Sequence, residues 1–97
     1  MFMVNKIEKN KEEPPIEEVL SSKGRVRILR LLAEEGELNI SEIINRTKLN
    51  HTITLKHLEQ LAKAGIVQEK KFGRIRIYRY CIEQTRARAL KNLFQLW

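Results

Sequence analysis

Two short amphipathic segments separated by only three residues constrain this chain more than any other feature. Residues 42–47 carry two adjacent isoleucines, and residues 51–64 repeat inward-facing side chains at helical spacing. We expect Ser41 and Asn50 to cap the two helices, because short polar side chains accept hydrogen bonds from the free amides of a first turn. Residues 48–50 then leave room only for a tight connection. Two helices joined in this way form a helix-turn-helix.

The second helix of this pair has one face for the core and one for solvent. Its predicted inward positions are Thr54, Leu58 and Leu61, with Leu55 at the margin of that face. We expect the helix to end at Gly65 in a Schellman motif, since glycine accepts the left-handed conformation and an apolar residue follows it.

The segments around this pair complete an α-α-(β)-α-α-β-β-α order. The periodicity predicts a short helix over residues 16–20, a helix over 23–35, an edge strand at 38–40, strands over 66–71 and 75–80, and a helix over 83–97. A β-hairpin that follows a helix-turn-helix is a wing. The predicted fold class is therefore mainly α with a small β-hairpin, a winged helix-turn-helix that dimerises through its terminal helices.

Composition and periodicity divide the chain into three parts. Residues 1–15 are rich in Lys, Glu and Asn and are predicted to form a flexible N-terminal arm. Residues 16–80 form the predicted winged helix-turn-helix domain. Residues 81–97 form a predicted C-terminal dimerisation helix.

The C-terminal helix concentrates apolar side chains where nothing in the sequence follows to cover them. The predicted dimer interface consists of Leu90, Leu93, Phe94 and Trp97. Pairing across a two-fold axis would bury this patch and place two reading helices about one DNA turn, ~34 Å, apart. The alternative is that the helix folds back on the core of its own protomer.

Charge favours a polyanionic partner. The net charge of the chain is +7, and residues 21–97 alone hold sixteen basic and seven acidic residues, which makes them +9. No apolar run reaches the ~18 residues of a membrane span, and no signal peptide is evident. Phosphate loops, nucleophile–base arrangements and paired-carboxylate motifs are also missing from the sequence. We therefore expect a cytoplasmic protein that is not an enzyme, does not bind membranes and associates with the nucleoid when bound to double-stranded DNA.

Candidate DNA contacts lie in the second helix of the pair, the turn before it and the hairpin after it. Polar side chains at the start of that helix suit base edges or phosphates: Asn50, His51, Thr52 and Lys56. Cations of the turn and the wing suit the phosphate backbone or the minor groove: Lys48, Lys70, Lys71, Arg74 and Arg76. Arg79 could instead point back towards the body, and Arg25, Arg27 and Arg30 are interpreted mostly as surface charge.

The quoted segments together resemble a known family. The runs S-S-K-G-R-V-R-I-L-R-L-L-A, N-I-S-E-I, T-x-L-N-H-T-I-T-L-K-H-L-E-Q-L-A-K-A-G-I-V and G-R-I-R-I-Y-R-Y are similar to those of ArsR-type winged-helix transcriptional regulators, with an archaeal branch as one source. The similarity covers residues 17–80, although MarR-like proteins share the helix-turn-helix spacing. It implies a homodimer on a roughly palindromic operator, with His51, Thr52, Leu55 and Lys56 facing the major groove.

This chain departs from the family pattern at two places. Leu55 stands where a small polar residue is expected, so it either contacts a thymine methyl or completes the core. Metal-sensing members carry ligands on the helix before the turn or on the C-terminal helix, whereas this chain has Ile40-Ser41-Glu42 at the first place and no His, Cys or Asp in residues 83–97. We therefore predict neither a metal site nor a cofactor.

Two side chains outside these surfaces have open roles. His57 is interpreted as a hydrogen-bonded packing histidine rather than a ligand or pH switch. Cys81 is the only cysteine, so it is a buried inert thiol, a redox switch or an intersubunit disulfide.

The predicted function is a homodimeric, sequence-specific transcriptional regulator that binds double-stranded DNA. Its recognition helix, about residues 51–64, would enter the major groove, and its basic wing, residues 70–79, would lie on the backbone or in the minor groove. The alternatives are an architectural protein with little sequence preference, a regulator that senses an effector or redox state, and a protein-binding adaptor.

Overall fold

The computed structural model describes residues 14–97, which form five helices and a three-stranded sheet. The elements are α1 (Ile16–Val19), α2 (Lys23–Glu35), β1 (Glu37–Asn39), α3 (Ile40–Thr47), α4 (His51–Lys63), β2 (Val67–Phe72), β3 (Ile75–Tyr80) and α5 (Thr85–Leu96). This order confirms the predicted one, including the edge strand. The predicted arm lies outside the described residues except for Pro14 and Pro15. Among residues 14–97, no helix is both long and apolar enough to cross a membrane.

The sheet is antiparallel in the order β1-β3-β2. Phe72 pairs directly with Ile75, so the hairpin closes through a two-residue turn, Gly73-Arg74, one residue shorter than the predicted connection. Gly73 has a φ of 62°, a conformation that a side chain would strain. The hairpin can therefore project as a paired ribbon up to its last residues.

One core joins the helices to the inner face of the sheet. The largest fully buried side chains come from α2, α3 and α4, and include Ile28, Leu29, Leu32, Ile43, Leu58 and Leu61. Thr54 is also fully buried, and its hydroxyl donates a 2.7 Å hydrogen bond to the carbonyl of Asn50. That bond removes the cost of a buried hydroxyl on the apolar face of α4. The predicted inward positions of α4 are thus confirmed.

The turn between α3 and α4 is built from backbone geometry. Lys48 adopts the left-handed conformation, with φ at 64°. Asn50 accepts a 2.8 Å hydrogen bond from the amide of Ile53 and so caps α4 as predicted. At the other end, the amide of Ile66 donates to Leu61 at 3.1 Å, which is the predicted Schellman closure. Both ends of α4 are therefore fixed by local sequence.

The start of α3 differs from the prediction. Asn39, not Ser41, is the N-cap, because its side chain accepts from the Glu42 amide at 2.8 Å while Glu42 accepts from the Asn39 amide at 2.9 Å. The cause is non-local, since Asn39 ends β1 opposite Ile77 and is therefore extended when the helix begins. Ser41 is an exposed residue of the first turn.

The start of α5 also lies later than predicted, at Thr85 rather than at residue 83. Glu83 is held by Arg79 at 2.9 Å, and the amide of Gln84 donates to the carbonyl of Cys81. This turn directs the chain from the sheet back onto α2 before the helix begins.

The capping box predicts a matched pair of stability effects. We expect Asn39→Ala to lower the free energy of unfolding by about 1 kcal/mol, because the Glu42 amide loses the side-chain oxygen that caps it. Ser41→Ala, two residues away on the same turn, should change it by less than about 0.5 kcal/mol. Urea unfolding followed by circular dichroism measures both. Equal losses in the two variants would contradict the capping assignment.

Candidate nucleic-acid interface

The predicted base-reading side chains lie at the exposed N-terminal end of α4. His51, Thr52 and Lys56 are all exposed, while Asn50 uses its side-chain oxygen for the cap. Asn50 thus positions the end of the helix and keeps a solvent-facing amide group. Lys48, in the turn, is exposed directly before this end.

A groove separates α4 from the wing. It is lined on the helix side by Thr52, Leu55, Lys56 and Glu59 and on the sheet side by Glu69, Arg76 and Tyr78. Leu55 is half-buried, so part of its side chain packs in the protomer and part faces this groove. Helix α4 and the β2–β3 hairpin therefore border one continuous surface.

The cations of the wing fall into two groups. Lys70 pairs with Glu37 at 3.2 Å, and Arg76 pairs with Glu69 at 3.3 Å. Lys71 and Arg74 are exposed, and within the described part of the chain no ion pair involves them. The two pairs are solvent-accessible and each contributes about 0–1 kcal/mol, so an anionic ligand can displace their acidic partners at little cost.

Arg79 faces the body of the protein rather than the tip of the wing. Its guanidinium donates to Gln68 and to the carboxylate of Glu83, and this bond lowers the pKa of Glu83 to about 2. Arg79 therefore joins β3 to the start of α5.

Glu69 is a part of this surface that sequence reasoning missed. Its carboxylate accepts a 3.1 Å hydrogen bond from the Tyr78 hydroxyl and lies 3.3 Å from Arg76. Burial first, and Glu69 second, raise the pKa of Tyr78 to about 12, which keeps the hydroxyl protonated as a donor. The sequence held one signal for this contact, the alternation of side chains along β2. Alternation puts residues 67, 69 and 71 on one face, which is the face that Tyr78 shares.

Arg25 is not the surface charge that the sequence suggested. Only 9% of it is exposed, and its guanidinium donates to the carbonyl of Glu18 at 2.7 Å and to Nδ1 of His57 at 3.1 Å. Burial first, and Arg25 second, lower the pKa of His57, and the packing role predicted for this histidine is confirmed. The cluster ties the end of α1 to the middle of α4.

Apolar side chains remain exposed at the end of α5. Leu96 and Trp97 are 83% and 91% exposed, Leu93 is also exposed, and Phe94 is half-buried with Arg30 at 6.0 Å from its ring centroid. Leu90 differs from the prediction, because at 8% exposure it belongs to the core of its own protomer. An apolar groove between α1 and α5 continues this surface, lined by Pro15, Ile16, Val19, Ile66, Ala89 and Leu93.

Cys81 is buried at the junction of β3 and α5. Burial raises the pKa of its thiol, which favours the unreactive protonated form. Across residues 14–97, the structure holds no group of three His, Cys, Asp or Glu side chains arranged to bind a metal ion.

The comparison with known proteins matches this geometry. The family model described as "Bacterial regulatory protein, arsR family" matches residues 22–69, which run from the cap of α2 into β2. The uncharacterized HTH-type transcriptional regulator MJ1325 of Methanocaldococcus jannaschii is 31% identical over 90 residues, 93% of this chain and 100% of that relative. The chain belongs to the ArsR family.

Two further ArsR-related proteins define the extent of the similarity. The arsenic resistance transcriptional regulator ArsR1 of Pseudomonas putida is 36% identical over 67 residues, so the match covers 68% of this chain and only 52% of that relative. A homodimeric winged helix-turn-helix DNA-binding domain from Mycobacterium bovis, solved by NMR, is 28% identical with a TM-score of 0.68, over 84% of this chain and 72% of that one. This ArsR-family chain thus has the winged helix-turn-helix fold of a family of transcriptional regulators.

The buried Arg25–His57 contact predicts a pH dependence of stability in this ArsR-family protein. The folded pKa of His57 lies below the unfolded value of ~6.5. Between these two pKa values the unfolded state therefore binds more protons than the folded state. The free energy of unfolding should therefore be highest above about pH 6.5. It should fall as the pH drops from there towards the folded pKa of His57.

Urea unfolding between about pH 7.5 and about pH 5.5 measures this effect, above the range where most carboxylates titrate. His57→Gln should flatten the pH profile, whereas His51→Gln, at the exposed end of the same helix, should leave its slope unchanged. A His57→Gln profile as steep as that of the wild type would exclude His57 as the source.

Proposed function

We propose that this protein is a homodimeric transcriptional regulator that binds double-stranded DNA in a sequence-specific way. The observation that carries the proposal is the groove bordered by both α4 and the wing, with exposed Lys56 on one side and cations on the other. In this arrangement the start of α4 enters the major groove and the hairpin follows the backbone or the minor groove.

Phosphate contacts supply the affinity. Lys48, Lys71 and Arg74 are exposed, and Lys70 and Arg76 join them once phosphates replace Glu37 and Glu69. Each neutralised phosphate releases counterions, so binding weakens steeply with salt. These contacts position the protein without reading the sequence.

Base contacts supply the specificity. His51, Thr52 and Lys56 present donors and acceptors at the start of α4, and the exposed part of Leu55 suits a thymine methyl. Asn50 contributes by holding the helix end through its cap.

Dimerisation through the apolar surface of α1 and α5 matches the two-fold symmetry of a palindromic site. Leu93, Leu96, Trp97 and Ile16 form the proposed interface, with Phe94 at its edge. Two copies then present two recognition helices ~34 Å apart, which is one DNA turn. We propose that the protein acts in the cytoplasm, on the nucleoid when bound to DNA, without a cofactor and without enzymatic activity.

The first test separates sequence preference from overall affinity for DNA. Selection of bound sequences from a random duplex pool should enrich one sequence. Lys56→Ala should reduce the preference for that sequence over random DNA by about tenfold or more per protomer, because a base contact contributes ~1–3 kcal/mol. Lys63→Ala, at the other end of α4, is the matched control and should keep the preference. A wild-type protein that binds all duplexes equally would indicate an architectural role instead.

The second test concerns the dimer. Leu93→Glu should shift the protein to monomers in analytical ultracentrifugation, because a buried charge opposes association across a two-fold axis. Ile82→Glu is the matched control, since Ile82 and Leu93 are 43% and 44% exposed. A wild-type protein that sediments as a monomer at micromolar concentration would contradict the proposed interface.

A further inference from the structure

The tip of the wing exposes two large apolar side chains that the fold does not use. Phe72 is 59% exposed and Ile75 is 55% exposed, and the two are directly opposed in the last pair of the hairpin. Only the turn Gly73-Arg74 lies beyond them. An exposed aromatic–aliphatic pair at the most distant point of a hairpin is an apolar surface that a partner outside the protomer can cover.

The register shows that this pair is not an extension of the core. Tyr78 and Tyr80 of β3 are buried on the inner face of the sheet, and alternation places Ile75 on the outer face together with Phe72. The half-buried Ile77 lies next to them on that outer face. The apolar pair therefore forms a separate surface on the side of the wing that faces away from α4.

The charges around the pair indicate what kind of partner fits. Lys71 precedes Phe72 and Arg74 precedes Ile75, and both cations are exposed. Alternation places Lys71 on the face opposite to the apolar pair, and Arg74 lies in the turn. A partner that receives the tip must therefore offer an apolar surface to one face of the hairpin and anionic groups to the turn and the other face. The minor groove of duplex DNA has this composition, because phosphates line its walls while sugars and base edges form its floor.

The reach of the hairpin agrees with this partner. From Val67, which is buried near the end of α4, to Phe72 the strand extends by about 17 Å at ~3.3 Å per residue. With α4 in the major groove, the neighbouring minor groove lies about half a helical turn away, which is also ~17 Å.

We propose that Phe72 and Ile75 form an apolar wedge that enters the minor groove and bends the duplex away from the wing. This inference rests on the proposed function, because it requires α4 to bind the adjacent major groove. The wedge presses against sugars and partly unstacks a base step, while Lys71 and Arg74 hold the two backbones. Steps that unstack easily, such as TA and CA, would then be preferred at positions that no polar side chain reads.

The experiment uses the full chain and the ~30-bp duplex recovered by selection, about three helical turns long. Affinity is measured at several salt concentrations, and bending is measured by energy transfer between dyes at the duplex ends. Phe72→Ala should bind about tenfold more weakly with an unchanged salt slope, because an apolar contact releases no counterions, and it should lower the energy transfer. Arg74→Ala should instead reduce the salt slope by about one per lost phosphate contact.

Matched variants keep the interpretation clear. Ile82→Ala removes an equally apolar, exposed side chain beyond the other end of β3 and should change neither affinity nor bend. Ile75→Thr keeps a β-branched side chain in the strand, so it tests the wedge even if Phe72→Ala disturbs the hairpin. Like Phe72→Ala, it should lower both the affinity for DNA and the bend. Circular dichroism verifies the fold of each variant.

The outcomes separate this inference from the proposed function. Unchanged affinity and bend in both Phe72→Ala and Ile75→Thr would overturn the wedge while leaving the proposed function intact. A change in the sedimentation of the free protein, without an effect on DNA, would assign the pair to a contact between copies and would also overturn the wedge. A wild-type protein that binds no duplex at low salt would overturn both.

Discussion

The burial of one face of α4 against α2 is the constraint on which the rest of this structure depends. Thr54, Leu58 and Leu61 are fully buried in a core that α2 supplies with Ile28, Leu29 and Leu32. Because this face is fixed, the opposite face and the N-terminal end of α4 must point to solvent. The hydroxyl of Thr54 donates a hydrogen bond to the carbonyl of Asn50 on the preceding turn, so this polar residue destabilises the core little. A core contact thus determines which side chains are available to a ligand.

Local patterns predicted the elements, whereas long-range contacts decided the details. The cap at Asn50 and the closure at Gly65 depend on residues within one turn, and both follow from the sequence. Asn39 was missed because β3 holds it in an extended conformation, and the partner strand lies far along the chain. Arg25 was misread for the same reason, since its acceptor His57 is 32 residues away. Periodicity alone also cannot separate Leu90, which packs inward, from Leu93 one turn later.

Counting charges overestimates how many cations the wing offers. Four wing cations lie between residues 70 and 76, yet two of them are paired with carboxylates. Glu69 of β2 holds Arg76 on the adjacent strand β3, and Glu37 of β1 holds Lys70 of β2 across the intervening strand β3. The acidic partners keep the free protein from carrying an unbroken positive strip, which would repel itself. Because both pairs are accessible to water, they exchange readily for phosphates. The sequence establishes the total charge, but the contacts within the sheet determine how many wing cations are paired with a carboxylate.

Arg25 connects the two surfaces that this protein presents. Its guanidinium donates to the carbonyl of Glu18 at the end of α1 and to the imidazole of His57 in α4. Gly24 beside it packs closely, since a Cβ there would lie 3.2 Å from Nε2 of His57 and 3.3 Å from a methyl group of Leu49. One buried side chain therefore links α1, at the apolar surface, to α4, at the charged surface. A dimer needs this kind of rigidity, because the distance between two recognition helices must match the fixed repeat of DNA. An apolar residue of similar length at position 25 would leave the carbonyl of Glu18 and the imidazole of His57 without this donor. It would also remove the contact that joins α1 to α4.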